Sequence, residues 1–252
     1  MSRRKPSRNT VLPALALMLS TLVPAYDGSP DPAPSGGAEE MVAALRAKAR
    51  RLNGFLADMS VQAGGTSQTG TLLFLAPASL HMEIKVAGLG DQKVMSDGRI
   101  LWTVTPEAHL ATKVDLEAVQ KAWHRPLPNQ AAAIRDVFEV MKPGTVRFVR
   151  EESVGGETTR LFEGVPENGV NGPHAASLPD RVRAWVGEDG LLRRQVLQKG
   201  GQVMMDATFR ITDKNPRIGP GLFRFDPPVD YQIQDLTDST LKALQSIESP
   251  PK

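Results

Sequence analysis

Residues 80–105 read LHMEIKVAGLGDQKVMSDGRILWTVT. Leu80, Met82, Ile84 and Val86 alternate with His81, Glu83 and Lys85. That is the two-residue period of a strand with one face in a core and the other in water. Residues 92–96 and 99–105 flank Asp97-Gly98, the dipeptide that best supplies the left-handed backbone of a tight hairpin. Ile100, Trp102 and Val104 share one face of the second of these strands. Short strands joined by short turns, with alternating polarity, specify an antiparallel sheet.

The same pattern extends outward in both directions. Residues 70–75 (GTLLFL) form a strand that stops before Pro77, and a short strand is expected over 109–114. Further strands are read over 146–151, 158–162, 181–186 and 191–198. The last two are joined by the turn Gly187-Glu188-Asp189-Gly190. After Lys199-Gly200-Gly201, Val203, Met205, Ala207, Phe209 and Ile211 alternate with Met204, Asp206, Thr208 and Arg210. Phe223-Arg224-Phe225 reads as a short last strand before Asp226-Pro227-Pro228.

Helical spacing marks four other segments. Residues 38–53 place Met41, Val42, Leu45, Ala49 and Leu52 on one side. Residues 116–123 form a short helix. In 129–141, Ile134, Val137, Phe138 and Met141 fall at i, i+3, i+4 and i+7, and Lys142-Pro143-Gly144 ends the run. Residues 238–247 form a terminal helix. The fold expected is mainly β (α+β): a curved antiparallel sheet making an incomplete barrel, with N-terminal and mid-chain helices covering an apolar concave face.

Residues 1–25 read as an export signal, with Arg3, Arg4, Lys5 and Arg8 ahead of an apolar run over 10–23. Residues 26–37 (YDGSPDPAPSGG) read as a flexible linker. The domain proper spans 38–236, and 237–252 is a C-terminal helix and tail. Without residues 1–25 the chain carries 26 basic and 28 acidic residues, a net charge of −2. The basic balance therefore belongs to the leader, and nucleic-acid binding is not expected. The absence of cysteine excludes disulfide frameworks, thiolate metal sites and cysteine nucleophiles.

No nucleophile elbow, phosphate-binding glycine loop, paired-histidine zinc motif or acidic calcium loop occurs. The histidines, His81, His109, His124 and His174, have no metal-ligand spacing. No cofactor or metal is expected, and the chain reads as a binding protein rather than an enzyme. A catalytic reading would need a Ser/His/carboxylate set converging near His81.

Three stretches resemble the outer-membrane lipoprotein carrier family, the LolA-like carriers and LolB-like acceptors. They are the strand–proline–strand run over 70–82, the hairpin Val94-Met95-Ser96-Asp97-Gly98-Arg99-Ile100-Leu101-Trp102, and Phe223-Arg224-Phe225-Asp226-Pro227-Pro228. The resemblance covers roughly residues 39–236. It implies a half-barrel whose cavity holds the acyl chains of a lipoprotein, or of another lipid, in the periplasm. It also implies an inner-membrane releasing complex and an outer-membrane acceptor as partners. Carriers of this family place an arginine before the strand-linking proline to latch a lid; here that position is Ala76.

An acyl chain gains ~0.8 kcal/mol per buried methylene, so a carrier needs more inward apolar surface than its own helices fill. The candidate wall residues are Met59, Phe74, Leu80, Met82 and Trp102 from the first half of the chain. Ile134, Phe138, Met141, Met205 and Phe209 complete the set from the second half. Helix 129–141 would be the lid. The competing reading is a sensor or scaffold on the same fold, binding a protein partner, with these side chains as filled core.

Overall fold

The computed structural model describes residues 36–86, 90–123, 135–166 and 179–248. The expectations for the leader, most of the linker, His124, Ile134, His174 and the body of the expected lid helix fall outside these residues.

A helix, α1 (Gly36–Arg50), leads into β1 (Gly54–Ala63), β2 (Thr66–Leu75), β3 (Ser79–Val86), β4 (Gly90–Ser96), β5 (Ile100–Thr105) and β6 (Leu110–Asp115). Helix α2 (Leu116–Trp123) follows. A second run comprises β7 (Arg147–Val154), β8 (Glu157–Gly164), β9 (Arg181–Gly187), β10 (Leu192–Lys199) and β11 (Gln202–Lys214). The chain then reaches β12 (Gln232–Asp235) and helix α3 (Thr237–Glu248). All the strands belong to one open twelve-stranded sheet in the order β12-β6-β5-β4-β3-β2-β1-β11-β10-β9-β8-β7. Each run is a sequential antiparallel meander. They join where β11 pairs antiparallel with β1, with Met59 opposite Phe209. β12 makes the one parallel pairing among these strands, with Gln232 opposite Leu110. The sheet is curved and mixed, and it does not close into a barrel.

The hairpin read from sequence is present. Gly98 has φ 89°, and the Asp97 carboxylate accepts the N–H groups of Arg99 (3.0 Å) and Ile100 (3.2 Å). At Gly70 a Cβ would lie 1.9 Å from the Glu83 carbonyl oxygen, so only glycine lets β2 and β3 approach here.

The alternation sorts side chains between two faces. The inner face carries Phe55, Ala57, Met59, Val61 and Ala63 of β1, Leu72 and Phe74 of β2, and Leu80, Met82, Ile84 and Val86 of β3. Helix residues Ala49 and Val119 are buried in the same cluster, so the helices cover this face. A second inner cluster joins Leu45 to Phe162, Val182, Ala184 and Val186. Gly190, at φ 84°, fits against α1, where a Cβ would lie 2.1 Å from the Leu45 carbonyl oxygen.

The other face of β4–β6 has its own small core of Met95, Trp102, Val104 and Ala111. A strap over residues 216–231 covers it. Phe225 packs edge-on to Trp102 with ring centroids 5.4 Å apart, and Tyr231 packs on Phe225 at 5.5 Å. The His81 ring donates from Nδ1 to the Leu222 carbonyl oxygen at 2.8 Å. Because a carbonyl only accepts, that contact fixes the proton on Nδ1.

The structure corrects three expectations. Phe223-Arg224-Phe225 is not a strand: Pro220–Phe223 is a 3₁₀ turn and the following residues cross the sheet without joining a ladder. Pro227 and Pro228 lack the N–H groups a ladder needs. Residues 135–141 do not continue a helix. Helical geometry ends at Arg135, and Asp136, at φ −132°, caps a 3₁₀ turn over Val137–Val140 by accepting from the Phe138 N–H. Trp102 belongs to the outer core, because Met95, not Val94, is its partner in the β4–β5 register.

Candidate functional site

Among the described residues, the inner face is the large apolar surface that the fold turns toward its helices. Met59, Phe74, Leu80 and Met82 lie in one buried cluster on β1–β3. Phe138 and Met141 lie in the other, against Phe162 of β8; Phe138 meets Phe162 edge-on at 5.1 Å. Met205 and Phe209 of β11 pack against both clusters, yet each is only partly buried. They form a partly covered seam along β11 in the middle of the inner wall, with buried Ala207 between them. Eight of the ten expected wall residues therefore share this surface; Trp102 is on the opposite face and Ile134 is outside the described residues.

Beside the second cluster runs a cleft of about 450 Å³, within the range of small-molecule sites. Helix α1 forms one wall through Ala38, Val42, Ala43 and Ala47. Phe138, Met141 and Val146 form the other, and Glu39, Arg46 and Arg50 stand along it. The cleft was not visible in the sequence, because it needs the 3₁₀ turn that stands where residues 137–140 are expected to be helical. Only the alanines on the side of α1 away from Leu45 marked a place where something else could lie.

Two arginine contacts hold the 135–141 segment to α1. Arg46 Nε sits 3.1 Å from Asp136 Oδ1 and 2.9 Å from Oδ2. Arg135 donates to the carbonyl oxygens of Ala49 (3.2 Å) and Arg50 (2.5 Å) at the C-terminal end of α1, where Ala49 also accepts from the Leu52 N–H at 3.1 Å. Its guanidinium also stands 5.9 Å over the Phe74 ring. Burial, with neighbouring Arg50, holds the Arg135 guanidinium below its usual value. Burial and the Asp136 carboxylate push the Glu139 carboxyl above the ordinary range, against the pull of Arg46, Arg50 and Arg135.

Other polar contacts are structural. Arg193, buried, donates to Asp189 (2.9 Å) and Glu157 (2.8 Å), and Lys214 meets Asp189 at 2.8 Å. Burial works to raise the Asp189 carboxyl, but the hydrogen bonds from Arg193, Lys214 and the Leu191 N–H hold it below its usual value. His81 and His109 are committed to the strap through Leu222 and, at 2.6 Å, Asp230. Among the described residues no group of three or more His, Asp and Glu side chains is placed to hold a metal ion.

No family model matches the sequence. No curated protein matches it either. Solved structures do share the fold. An uncharacterized conserved protein from Thermus thermophilus superposes with a TM-score of 0.52 at 11% identity, over 79% of this chain and 99% of that one. The Mycobacterium tuberculosis lipoprotein LppX follows at 0.47 and 9%, over 73% and 99%. The Pseudomonas aeruginosa MucA/MucB complex gives 0.46 and 14%, over 79% and 64%. At such identities the Thermus match bears on the fold alone, and the two weaker ones carry no argument.

Proposed function

We propose that this chain is an exported, non-catalytic carrier that takes the acyl chains of a lipoprotein, or of another lipid, on its inner face. In this reading it works in the bacterial envelope and hands its cargo on toward the outer membrane. The observation that carries the proposal is the partly covered seam at Met205 and Phe209, bounded on both sides by buried apolar clusters. Both side chains pack against the two clusters yet stay partly open to water. A surface meant only for water would not line up Met205, Ala207 and Phe209 on one face of β11 beside a wall of Met59, Met82 and Phe74. Methionine suits a wall that must fit chains of different shape. The sequence stretches over 70–82, 94–102 and 223–228 support the same reading through their resemblance to the lipoprotein carriers.

Native mass spectrometry of protein purified from the periplasm, followed by solvent extraction, tests the proposal. A bound phospholipid or acylated peptide is the expected result. A protein that is empty, and that also fails to take up a fluorescent fatty acid, would overturn it and favour the sensor or scaffold reading.

A further inference from the structure

The cleft beside α1 differs from the inner wall in carrying charge at its two ends. Its lining runs from Ala38 to Arg50 along α1. At 1.5 Å per residue that is about 18 Å, close to the ~15 Å that the acyl chains of one membrane leaflet span. The floor is apolar throughout, from Val146 and Met141 to Phe138, and Ala43 and Ala47 keep the α1 side narrow in bulk. Glu39 stands near one end and Arg46 and Arg50 near the other. Arg46 is neutralised by Asp136. Arg50 is exposed and, among the described residues, makes no ion pair, although it lies in the field of Glu139. Arg135 adds a second positive charge beside it. An anionic group is therefore favoured at the Arg50 end and disfavoured at the Glu39 end.

We infer that this cleft binds one acyl chain lengthwise along α1, with an anionic head at Arg50. The inference rests on the acyl-binding reading and adds a place, a direction and a head-group charge to it. A carboxylate of a free fatty acid and a phosphate of an anionic lipid share the required chemistry.

Binding of a fluorescent fatty acid to the full chain, with competition by palmitate, palmitoyl alcohol and an anionic lysophospholipid, tests it. Wild type should be displaced by palmitate about tenfold better than by the alcohol, the size of one charge-assisted contact. Arg50→Gln should erase that preference without unfolding, because only the backbone carbonyl of Arg50 serves the Arg135 contact. Ala47→Trp, at an exposed position of α1, should fill the cleft and weaken the probe and both palmityl ligands at least about tenfold. Competition by the lysophospholipid as strong as by palmitate assigns an anionic lipid as the natural source; competition by palmitate alone assigns a free acid. If both variants, folded by circular dichroism, bind the probe as wild type does, the cleft assignment is overturned while acyl binding stands. If wild type takes up no probe, acyl binding itself fails.

Discussion

Trp102 and Phe209 are both aromatic residues on strands of one sheet, and they stand on opposite faces for different ends. Trp102 is buried beneath Phe225. Trp102→Ala should cost about 3–5 kcal/mol of stability, read by denaturant unfolding, and leave acyl-probe affinity of the folded fraction unchanged. Phe209 is only partly buried, so Phe209→Ala should cost less than ~3 kcal/mol yet weaken probe binding severalfold. A Phe209→Ala protein that binds as wild type would remove the seam from the site. The titrating residues have opposite signs. Asp189 sits below its usual value when folded. Its contribution is complete above the unfolded carboxyl value and is lost as the pH falls through the lowered folded one. Glu139 sits above its usual value, so its ionised form opposes folding at neutral pH. Glu139→Gln should therefore raise the melting temperature at pH 7, and the gain should vanish at a pH where Glu139 is protonated in both states. A thermal series across pH checks this.

Among the elements, most strand positions are legible in the sequence because alternation and turn glycines agree. β3, β4, β5 and α2 lie within a residue or two of their sequence reading. β1 escapes that reading, although Phe55, Ala57, Met59, Val61 and Ala63 alternate cleanly; Gly54 stands where a helix would stop and hides the strand it opens. β12 escapes it because Gln232–Asp235 is four exposed, mostly polar residues, made a strand only by the edge of β6 beside it. The face a side chain takes is legible where the sequence reading finds the alternation, as at Met82, Met205 and Phe209. It is illegible where tertiary contact overrides local pattern. The burial of Trp102 depends on a strap more than 110 residues later, and the 3₁₀ turn at Val137–Val140 depends on the Asp136 cap. Arg135, which no pattern marks, joins that segment to the end of α1. Arg135→Ala should uncap α1 and cost roughly 1–2 kcal/mol. Hydrogen exchange should speed at the amides of α1 before it does in β1–β3; uniform exchange would assign the effect to global destabilisation instead.

At the scale of the whole molecule the sheet is two meanders with a single seam. β1 has β2 on one edge and β11 on the other, and Asp58 meets Arg210 across a separation of 152 residues. That seam also bears Met205 and Phe209, so the surface proposed to take a lipid forms only when the two halves of the chain meet. The order of events during synthesis follows. β1–β6 are local hairpins, and they can pair as soon as residue 115 is available. The second edge of β1 then stays unpaired until β11 arrives, leaving its N–H and C=O groups open to strands of other chains. Pulsed hydrogen exchange during refolding should protect β3–β5 first and the β1–β11 ladder last. A chain halted between residue 115 and residue 202 would carry an adhesive edge and an uncovered apolar wall together, so the nascent protein needs a guardian until its second half is made.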